Sequence, residues 1–471
     1  MSMKRVDIEG QLPAQELEFD GQGPSGEIKV QEFGGVDYGV RRSTVPAISV
    51  CCLNTIIGAG ILGLPASIAA VGWGNGIIMF VLGAVCTQIG LHMLSSVAHK
   101  IGGDQLSFGA VAGHLNPWFA FLVDFLVWFI CFFICVLYVG TAADFLVDAA
   151  KYMNPEANAS GEWYMSRTFF LTLVWLGIAG PLSFPRKVTI LQYSSYIATI
   201  FIFYTVVLVV IYAGKPVEEL CEHFMEKANV TECIGEHCCL PSGECCIGEI
   251  QAFTGDALTF LNSMAVLVTS YCCSIQMFSF YNDLVEPSVA RMNKASMPAI
   301  VLCTILYLAI SFGGLFTYGS AVSSDLLGSY PLTLEVTICR IGLAFLVTVS
   351  YPLLMHPCRD ATVNLVARIA KEVLGKTIDD PRQKSGKITY YVCLFVSLVA
   401  TYCLGLVEID MGMILGLGGT FSVSNLSFTI PAIYYWIFHK DEGYSTMRLL
   451  CIPIGILGIT IMVVNIVILF L

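Results

Sequence analysis

The chain has 471 residues, of which 56% are apolar and only 13% are charged, whereas a soluble domain carries about 25% charged residues. So few polar groups cannot cover the surface of a soluble protein, which excludes soluble enzymes and nucleic-acid-binding proteins. The formal net charge of −11 says little about partners, because orientation in a bilayer depends on where Lys and Arg lie. The composition therefore indicates an integral membrane protein with no nucleic-acid partner.

The first 42 residues differ from the rest of the chain. Residues 1–42 are polar, with Gly, Glu and Gln prominent, and a segment with so little to bury is expected to be disordered. No cationic stretch with a short apolar run and a cleavage site opens the chain. We predict a disordered cytosolic tail over 1–42 and a first span that is not cleaved.

Eleven apolar stretches of membrane-spanning length follow the tail. In hydrocarbon each backbone N–H and C=O must be paired within its own segment, so runs of about 20 apolar residues are expected to be helices. A transmembrane barrel would instead show shorter segments of alternating polarity. The stretches lie at 46–70, 77–97, 119–147, 168–184, 190–213, 257–280, 298–318, 337–357, 390–407, 411–437 and 449–470.

The distribution of basic residues predicts the orientation. If the N-terminus is cytosolic, nineteen of the 24 Lys and Arg lie in cytosolic segments and five lie on the other side. Cytosolic loops carry such an excess, and one missed span would scramble the alternation. We therefore predict a cytosolic N-terminus and an extracytosolic C-terminus.

The segment 214–254 is expected to be a Cys-rich extracytosolic loop. An even set of cysteines in an oxidising compartment indicates disulfides, although six cysteines allow 15 connectivities. Zinc binding with His237 is the alternative. The sequons at Asn158 and Asn229 also fall on the predicted outer side, which makes both residues glycosylation candidates. The disulfide candidates are Cys221, Cys233, Cys238, Cys239, Cys245 and Cys246.

The sequence lacks the motifs that would indicate a membrane enzyme or a pump. It contains no H-E-x-x-H within a span, no G-x-S-x-G and no Walker A motif, so neither catalysis nor direct use of ATP is expected. We expect no cofactor and no metal beyond a coupling Na⁺. The acidic residues associated with the spans lie near span ends, where contact with water is expected: Asp124, Asp144, Asp148, Asp256 and Glu335.

The first span contains a stretch that disfavours a regular helix. Asn54-Thr-Ile-Ile-Gly-Ala-Gly-Ile-Leu-Gly-Leu-Pro65 has three glycines and a proline within eight residues, which weaken a helix by about 1 and 3 kcal/mol per residue. Unpaired backbone groups at membrane depth are tolerated where they line a cavity, and there they bind a zwitterion at half-helix ends. The alternative is that the small residues only allow close helix packing.

That stretch resembles the first-helix signature of the amino acid/auxin permease family, in particular its sodium-coupled neutral amino acid transporters and vacuolar amino acid transporters. Three further regions of the chain are similar to other helices of the family, and the resemblance spans roughly 44–440. These regions are Gly180-Pro-Leu-Ser-Phe-Pro-Arg-Lys187 with Leu191-Gln-Tyr-Ser-Ser195, Phe280-Tyr-Asn-Asp-Leu284, and Pro352-Leu-Leu-Met-His-Pro-Cys-Arg359.

The resemblance implies an all-α, LeuT-like fold of the APC superfamily. Five helices are repeated in inverted topology, helices 1 and 6 are broken at the midplane, and an eleventh helix follows. The implied organisation is a first repeat over 44–213, a second repeat over 255–438 and the eleventh helix over 447–471. The sequence alone does not predict a break in span 6, which has no Gly or Pro between Ala257 and Glu286; only the polar run Thr269, Ser270, Ser274 and Gln276 hints at it.

The resemblance also implies roles for individual residues. Gly58, Ala59 and Gly60 would offer N–H groups to a substrate carboxylate, and Cys273 and Ser274 would offer oxygens to its amine. Asn54 and Ser350 match positions associated with sodium, for which oxygen ligands are suited. Asn54 would otherwise only hydrogen-bond a neighbouring helix.

The coupling ion stays open between Na⁺ and H⁺. Many sodium-coupled members carry Thr where Ser350 aligns, which is a departure from the pattern. His356 would matter for proton coupling, although a lone His at a span end also serves structure. No charged residue lies near the implied site, so neutral amino acids are favoured.

We predict a secondary active transporter that works by symport or antiport in the plasma membrane or a vacuolar or lysosomal membrane. The alternative is an amino-acid-sensing receptor with little net transport, and a passive channel is a third hypothesis. The sequence does not reveal the amino acid carried, the direction of transport or the oligomeric state.

Overall fold

The computed structural model describes residues 43–102, 106–185, 189–214, 250–255, 257–323, 325–374, 384–407, 411–443 and 445–470. Within these residues the regular structure is helical, apart from one isolated bridge between Ser43 and Leu284. The predicted tail 1–42, the six cysteines of the outer loop, Asn229 and Asp256 lie outside the described residues. Asn158 lies in a short helix, Pro155–Ala159.

Eleven helical segments occupy the eleven apolar stretches, and we number them α1 to α11. They are α1 (halves Val45–Ile56 and Leu64–Val71), α2 (Trp73–Ile101), α3 (Pro117–Met153), α4 (Arg167–Ser183), α5 (Thr189–Tyr212), α6 (halves Ala257–Ser270 and Ser274–Asp283), α7 (Val289–Tyr318), α8 (Leu334–Leu374), α9 (Lys384–Gly405), α10 (Met413–Phe438) and α11 (Thr446–Phe470).

The number of membrane crossings is not confirmed at eleven. By length and hydropathy, eight of the described helices can cross a membrane, and the bent pair in α1 makes nine. The other two positions hold shorter apolar helices, Arg167–Ser183 and the Tyr196–Tyr212 part of α5. Each predicted stretch is nevertheless a helix, so the positions are observed while the count stays a prediction.

Helix α1 is broken near its middle, where the sequence weakens it. The α-helix ends at Ile56, a 3₁₀ turn runs over Ala59–Gly63, and the second half starts at Leu64, with a bend of 48° between the halves. Pro65 has no N–H to give to the preceding turn, and the glycines reduce the helix propensity. Local sequence therefore accounts for this break.

Helix α6 is also broken, between Ser270 and Ser274, although no Gly or Pro lies there. The hydroxyl of Tyr307 from α7 lies 2.8 Å from Ser270 O and 2.6 Å from Ile56 O, the last residues of the first halves of α6 and α1. A helix end leaves C=O groups without intrahelical partners. Tertiary contacts thus stabilise a break that local propensity does not require.

Three further helices, α3, α8 and α10, complete the surroundings of the breaks. Helices α3 and α8 pack along each other, and α10 packs on the first half of α6. At Gly419 of α10 a Cβ would collide with Ala265 O and Thr269 Oγ1 of α6, so only glycine allows this approach. Around Gly419, α10 contains two π-helical turns, Gly419–Val423 and Asn425–Thr429, a distortion that often accompanies functional sites.

Candidate functional site

A cavity lies where the two broken helices meet. Its walls come from α1, α3, α6 and α8, with Leu415 from α10. The space between the lining atoms, including the part open to solvent, is about 630 Å³. The polar lining residues are Asn54, Thr55, Tyr138, Thr269, Ser270, Gln276 and Ser350.

Two glycines of α1 let other side chains approach the broken backbone. A Cβ on Gly58 would collide with the hydroxyl of Tyr138 from α3, and a Cβ on Gly60 would lie 2.8 Å from Ser270 Oγ. Ser270 Oγ in turn lies 3.3 Å from Gly60 O. These glycines are needed because polar groups of α3 and α6 contact the main chain of α1. Close packing between apolar helices, the alternative interpretation of the small residues, would not explain these polar contacts.

The ends of the half-helices give the cavity two kinds of partial charge. Ile56 and Ser270 are the last residues of two half-helices, and the C=O groups at such ends carry partial negative charge. The hydroxyl of Tyr307 has a single proton, so it can donate to only one of these two carbonyl groups at a time. The turn at Ala59 and the helix at Ser274 begin the opposite halves, and helix N-termini favour anions. A ligand with an ammonium and a carboxylate group matches this arrangement.

The structure brings together some of the residues that the sequence singled out. Asn54, Gly58, Gly60 and Ser350 all line the cavity. Asn54 is 3% exposed, and Ser350 Oγ is buried with no hydrogen-bond partner among the described residues. Four of the seven predicted site residues therefore line the same cavity.

The two residues predicted from helix 6 are placed differently. Cys273 and Ser274 are buried and are not among the described residues that line the cavity. The hydroxyls of Ser274 and Ser427 are 2.8 Å apart. Ser270 and Cys272, just before them, line the cavity instead.

Five polar lining residues escaped the sequence-based site: Thr55, Tyr138, Thr269, Ser270 and Gln276. Thr269, Ser270 and Gln276 belong to the polar run in span 6, so that run was the signal that could have located them. Tyr138 lies in an apolar stretch of α3, and nothing in the sequence marks it.

The cavity has no charged side chain among its described lining residues. A second cavity, here called the vestibule, adjoins it and shares Ile275, Gln276 and Leu353 with it. Asp124, Asp283 and other polar groups line the vestibule. The vestibule lies at the end of the bundle that the basic residues predict to be cytosolic.

Asp124 is the buried carboxylate of the vestibule. Only 4% of it is exposed, although its position near a span end predicted contact with water. Its carboxylate lies 3.6 Å from Arg368 Nε and accepts a hydrogen bond from Asn364 Nδ2 at 3.3 Å. A Cβ on Gly109, in the loop helix Phe108–Gly113, would collide with this carboxylate. His356 also lines the vestibule. Among the described residues no cluster of three or more His, Cys, Asp or Glu could hold a metal ion.

Comparison with known sequences identifies relatives along most of the chain. The family profile described as "Transmembrane amino acid transporter protein" matches residues 41–471. Vacuolar amino acid transporter 5 of Saccharomyces cerevisiae is 24% identical over 458 residues, covering 88% of this chain and 95% of that protein. The human sodium-coupled neutral amino acid transporter 7 is 26% identical over 334 residues, covering 70% of this chain and 66% of that protein. These relatives are named as transporters, which confirms the predicted resemblance and the expectation of a transporter and not an enzyme.

Solved structures confirm the predicted LeuT-like fold. Mhp1, a nucleobase-cation-symport-1 family transporter in a closed conformation with bound bromovinylhydantoin, superposes with a TM-score of 0.55 over 91% of each chain. MhsT in complex with L-phenylalanine superposes with a TM-score of 0.52 over 89% of this chain and 97% of that one. Both are 10% identical in sequence, so the likeness concerns the fold alone.

Proposed function

Because this chain belongs to the transmembrane amino acid transporter family, we propose that it is a secondary active carrier of neutral amino acids, coupled to Na⁺ or H⁺ and working by alternating access. The observation that carries this proposal is the meeting of two broken helices at a cavity whose described lining residues carry no charge. Such breaks at the midplane are the usual substrate sites of secondary transporters.

The backbone of the breaks is suited to the zwitterionic part of an amino acid. In our proposal the N–H groups at Gly58, Ala59 and Gly60 receive the carboxylate. The ammonium group meets the carbonyl ends at Ile56 and Ser270. Ser270 takes the role that the family resemblance implied for Cys273 and Ser274, because Ser270 is among the described residues that line the cavity and those two are not.

Asn54 and Ser350 are our candidates for the coupling-ion site. Both line the cavity, from α1 and α8, and their oxygen atoms suit a hard cation such as Na⁺. Ser350 Oγ has no hydrogen-bond partner among the described residues, which supports this assignment, since a buried hydroxyl without a partner is unfavourable unless a ligand binds to it.

The two adjoining cavities support alternating access, since they share Ile275, Gln276 and Leu353 in their linings. In this state the substrate cavity adjoins the vestibule on the side that we propose to be cytosolic. Transport would then require the bundle to close this side and open the other. We propose a vacuolar, lysosomal or plasma membrane location; of these, the vacuole is the one that a relative's name mentions, vacuolar amino acid transporter 5.

Uptake into proteoliposomes tests the proposed function. We expect the purified protein to accumulate radiolabelled neutral amino acids when an inward Na⁺ or H⁺ gradient is imposed, and to lose this accumulation when both gradients are collapsed. Binding without net flux would favour the receptor alternative, and flux with single-channel currents would favour a channel. No binding and no flux with any amino acid would contradict the proposal.

A substitution at the break tests where the substrate binds. Gly58→Ala places a methyl group against Tyr138, and we expect uptake to fall about tenfold or more, since overpacking costs about 1–3 kcal/mol. Gly113→Ala is the matched control, because a Cβ there meets nothing within 4 Å. Equal uptake by the Gly58→Ala and Gly113→Ala variants would mean that the substrate does not bind at the break in α1.

A further inference from the structure

Gln276 occupies the boundary between the substrate cavity and the vestibule. It is the second residue after Ser274, where α6 resumes, and it lines both cavities while being only 6% exposed. The two other residues shared by the cavities, Ile275 and Leu353, are apolar. The amide of Gln276 is therefore the one polar side chain that the two described cavities share.

A carbonyl group on α8 explains part of this placement. Pro357 has no N–H to donate to the carbonyl of Leu353, four residues earlier, so that carbonyl lacks its ordinary helical donor. Gln276 Nε2 lies 3.5 Å from Leu353 O. The proline in α8 thus leaves an acceptor facing the boundary, and the amide of Gln276 is directed to it.

The other end of the amide contacts α1. Gln276 Oε1 lies 3.2 Å from the Thr55 hydroxyl, but that hydroxyl also lies 2.8 Å from Cys51 O and has only one proton. Hydroxyl-to-oxygen bonds are usually about 2.5–3.0 Å long. Both contacts of the amide are therefore long, and Cys51 O competes with Gln276 Oε1 for the Thr55 proton. Gln276 can therefore give up these hydrogen bonds to bind a ligand with little loss of free energy.

The lack of charge in the described lining of the substrate cavity bears on whether a substrate with a charged side chain can bind. No charged side chain lines the substrate cavity among the described residues, and an ion without a counter-charge is strongly disfavoured in such surroundings. A substrate side chain that extends from the substrate cavity toward the vestibule would pass Gln276, the polar residue that the two described cavities share. A neutral group at this point gives a charged side chain no counter-charge inside the substrate cavity itself.

We propose that Gln276 is the specificity-determining residue of the site: its uncharged amide meets the substrate side chain and restricts the carrier to neutral amino acids. This inference rests on the proposed transport function. Acidic and basic amino acids are excluded because the amide cannot neutralise them, while the backbone at the breaks binds the zwitterionic part that all amino acids share.

The test replaces the amide with a carboxylate of nearly the same shape. In proteoliposomes, Gln276→Glu is expected to raise the ratio of lysine uptake to leucine uptake by about tenfold or more, because a charge-assisted hydrogen bond is worth about 1.5–3 kcal/mol. Gln276→Met keeps the length but has no charge, and we expect no gain of lysine uptake. Ser279→Asp is the matched control, since it adds a carboxylate at a residue of α6 that lines the vestibule alone.

A binding measurement keeps the test decisive if the variant does not complete a transport cycle. Lysine is expected to raise the melting temperature of purified Gln276→Glu protein and not that of the wild type, whereas leucine is expected to raise that of the wild type. A Gln276→Glu protein that still binds leucine and gains neither binding nor uptake of lysine would overturn the inference, as would an equal gain in Ser279→Asp. A wild-type protein that neither binds nor transports any amino acid would instead overturn the proposed function.

Discussion

Tyr307 joins the two helix breaks through one hydroxyl group. Its oxygen contacts Ile56 O and Ser270 O, and the residue is fully buried between Phe80 and Tyr271. A carbonyl that loses its donor in a buried place costs about 1–3 kcal/mol. The hydroxyl therefore donates its single proton to the carbonyl at the end of α1 or to the one at the end of α6, and stabilises these ends in alternation.

Replacing this tyrosine tests that role. Tyr307→Phe keeps the ring and removes the hydroxyl, so we expect a loss of stability of about 1–3 kcal/mol and reduced amino acid uptake. Thermal unfolding and uptake are to be measured together. Tyr402→Phe is the control, because its hydroxyl lies 2.9 Å from Thr172 Oγ1, between α4 and α9 and away from the breaks. If Tyr307→Phe behaves like the control, the hydroxyl does not support the breaks.

Ser350 permits a test that separates ion binding from folding. Its hydroxyl has no partner among the described residues, so Ser350→Ala removes an unsatisfied polar group, and stability is expected to stay equal or to rise. The Na⁺ concentration for half-maximal uptake is expected to increase in the same variant. Unaltered Na⁺ dependence in Ser350→Ala, with a Na⁺-dependent wild type, would contradict the assignment.

The helices differ in how strongly the sequence determines them. The break in α1 follows from Gly58, Gly60 and Pro65 and is readable in the sequence. The break in α6 has no such residues, and only the resemblance implied it. Ser270, where the first half of α6 ends, contacts Tyr307, which lies 37 residues further along the chain, so a local pattern could not have indicated this contact.

A short helix between α7 and α8, Leu326–Ser329, is anchored by Arg340. The side chain is 1% exposed, its Nη2 donates to Leu327 O at 2.7 Å and Tyr330 O at 3.1 Å, and its Nε lies 3.9 Å from Asp148. A guanidinium with planar donors suits two neighbouring carbonyls. This end of the bundle is the one opposite to the vestibule.

Removing the guanidinium should release that short helix. Arg340→Met keeps much of the apolar stem, and we expect a loss of about 2 kcal/mol or more, because two buried carbonyls lose a charged donor. Lys151→Met is the control: Lys151 also contacts Asp148, at 3.3 Å, but 38% of its side chain is exposed, and exposed pairs contribute about 0–1 kcal/mol. The measurement is the melting temperature of each variant: a fall for Arg340→Met that is no larger than the fall for Lys151→Met would contradict the prediction.

At the scale of the whole molecule, the predicted orientation follows from the asymmetry of Lys and Arg. An odd number of crossings places the two ends of the chain on opposite sides of the membrane. Among the described residues, eight or nine helices are long and apolar enough to cross a membrane, and α4 and α5 decide whether the total is eleven.

Epitope tags at the two ends of this chain test the count. We expect the tag before Met1 to be accessible only after the membrane is permeabilised, and the tag after Leu471 to be accessible from the other face. Protease protection in sealed vesicles of known orientation is the measurement. Tags on the same side would mean that one of the eleven helices does not cross.

The sequence by itself determined the helical membrane class, the positions of the helices, the break in α1 and the family, because hydrophobic length, glycine and proline act locally and independently of the rest of the fold. Only the tertiary structure decided the break in α6, the approach of Tyr138 to Gly58 and the place of Gln276 between two cavities. These features depend on side chains from helices far apart in the chain, whose meeting no local pattern encodes.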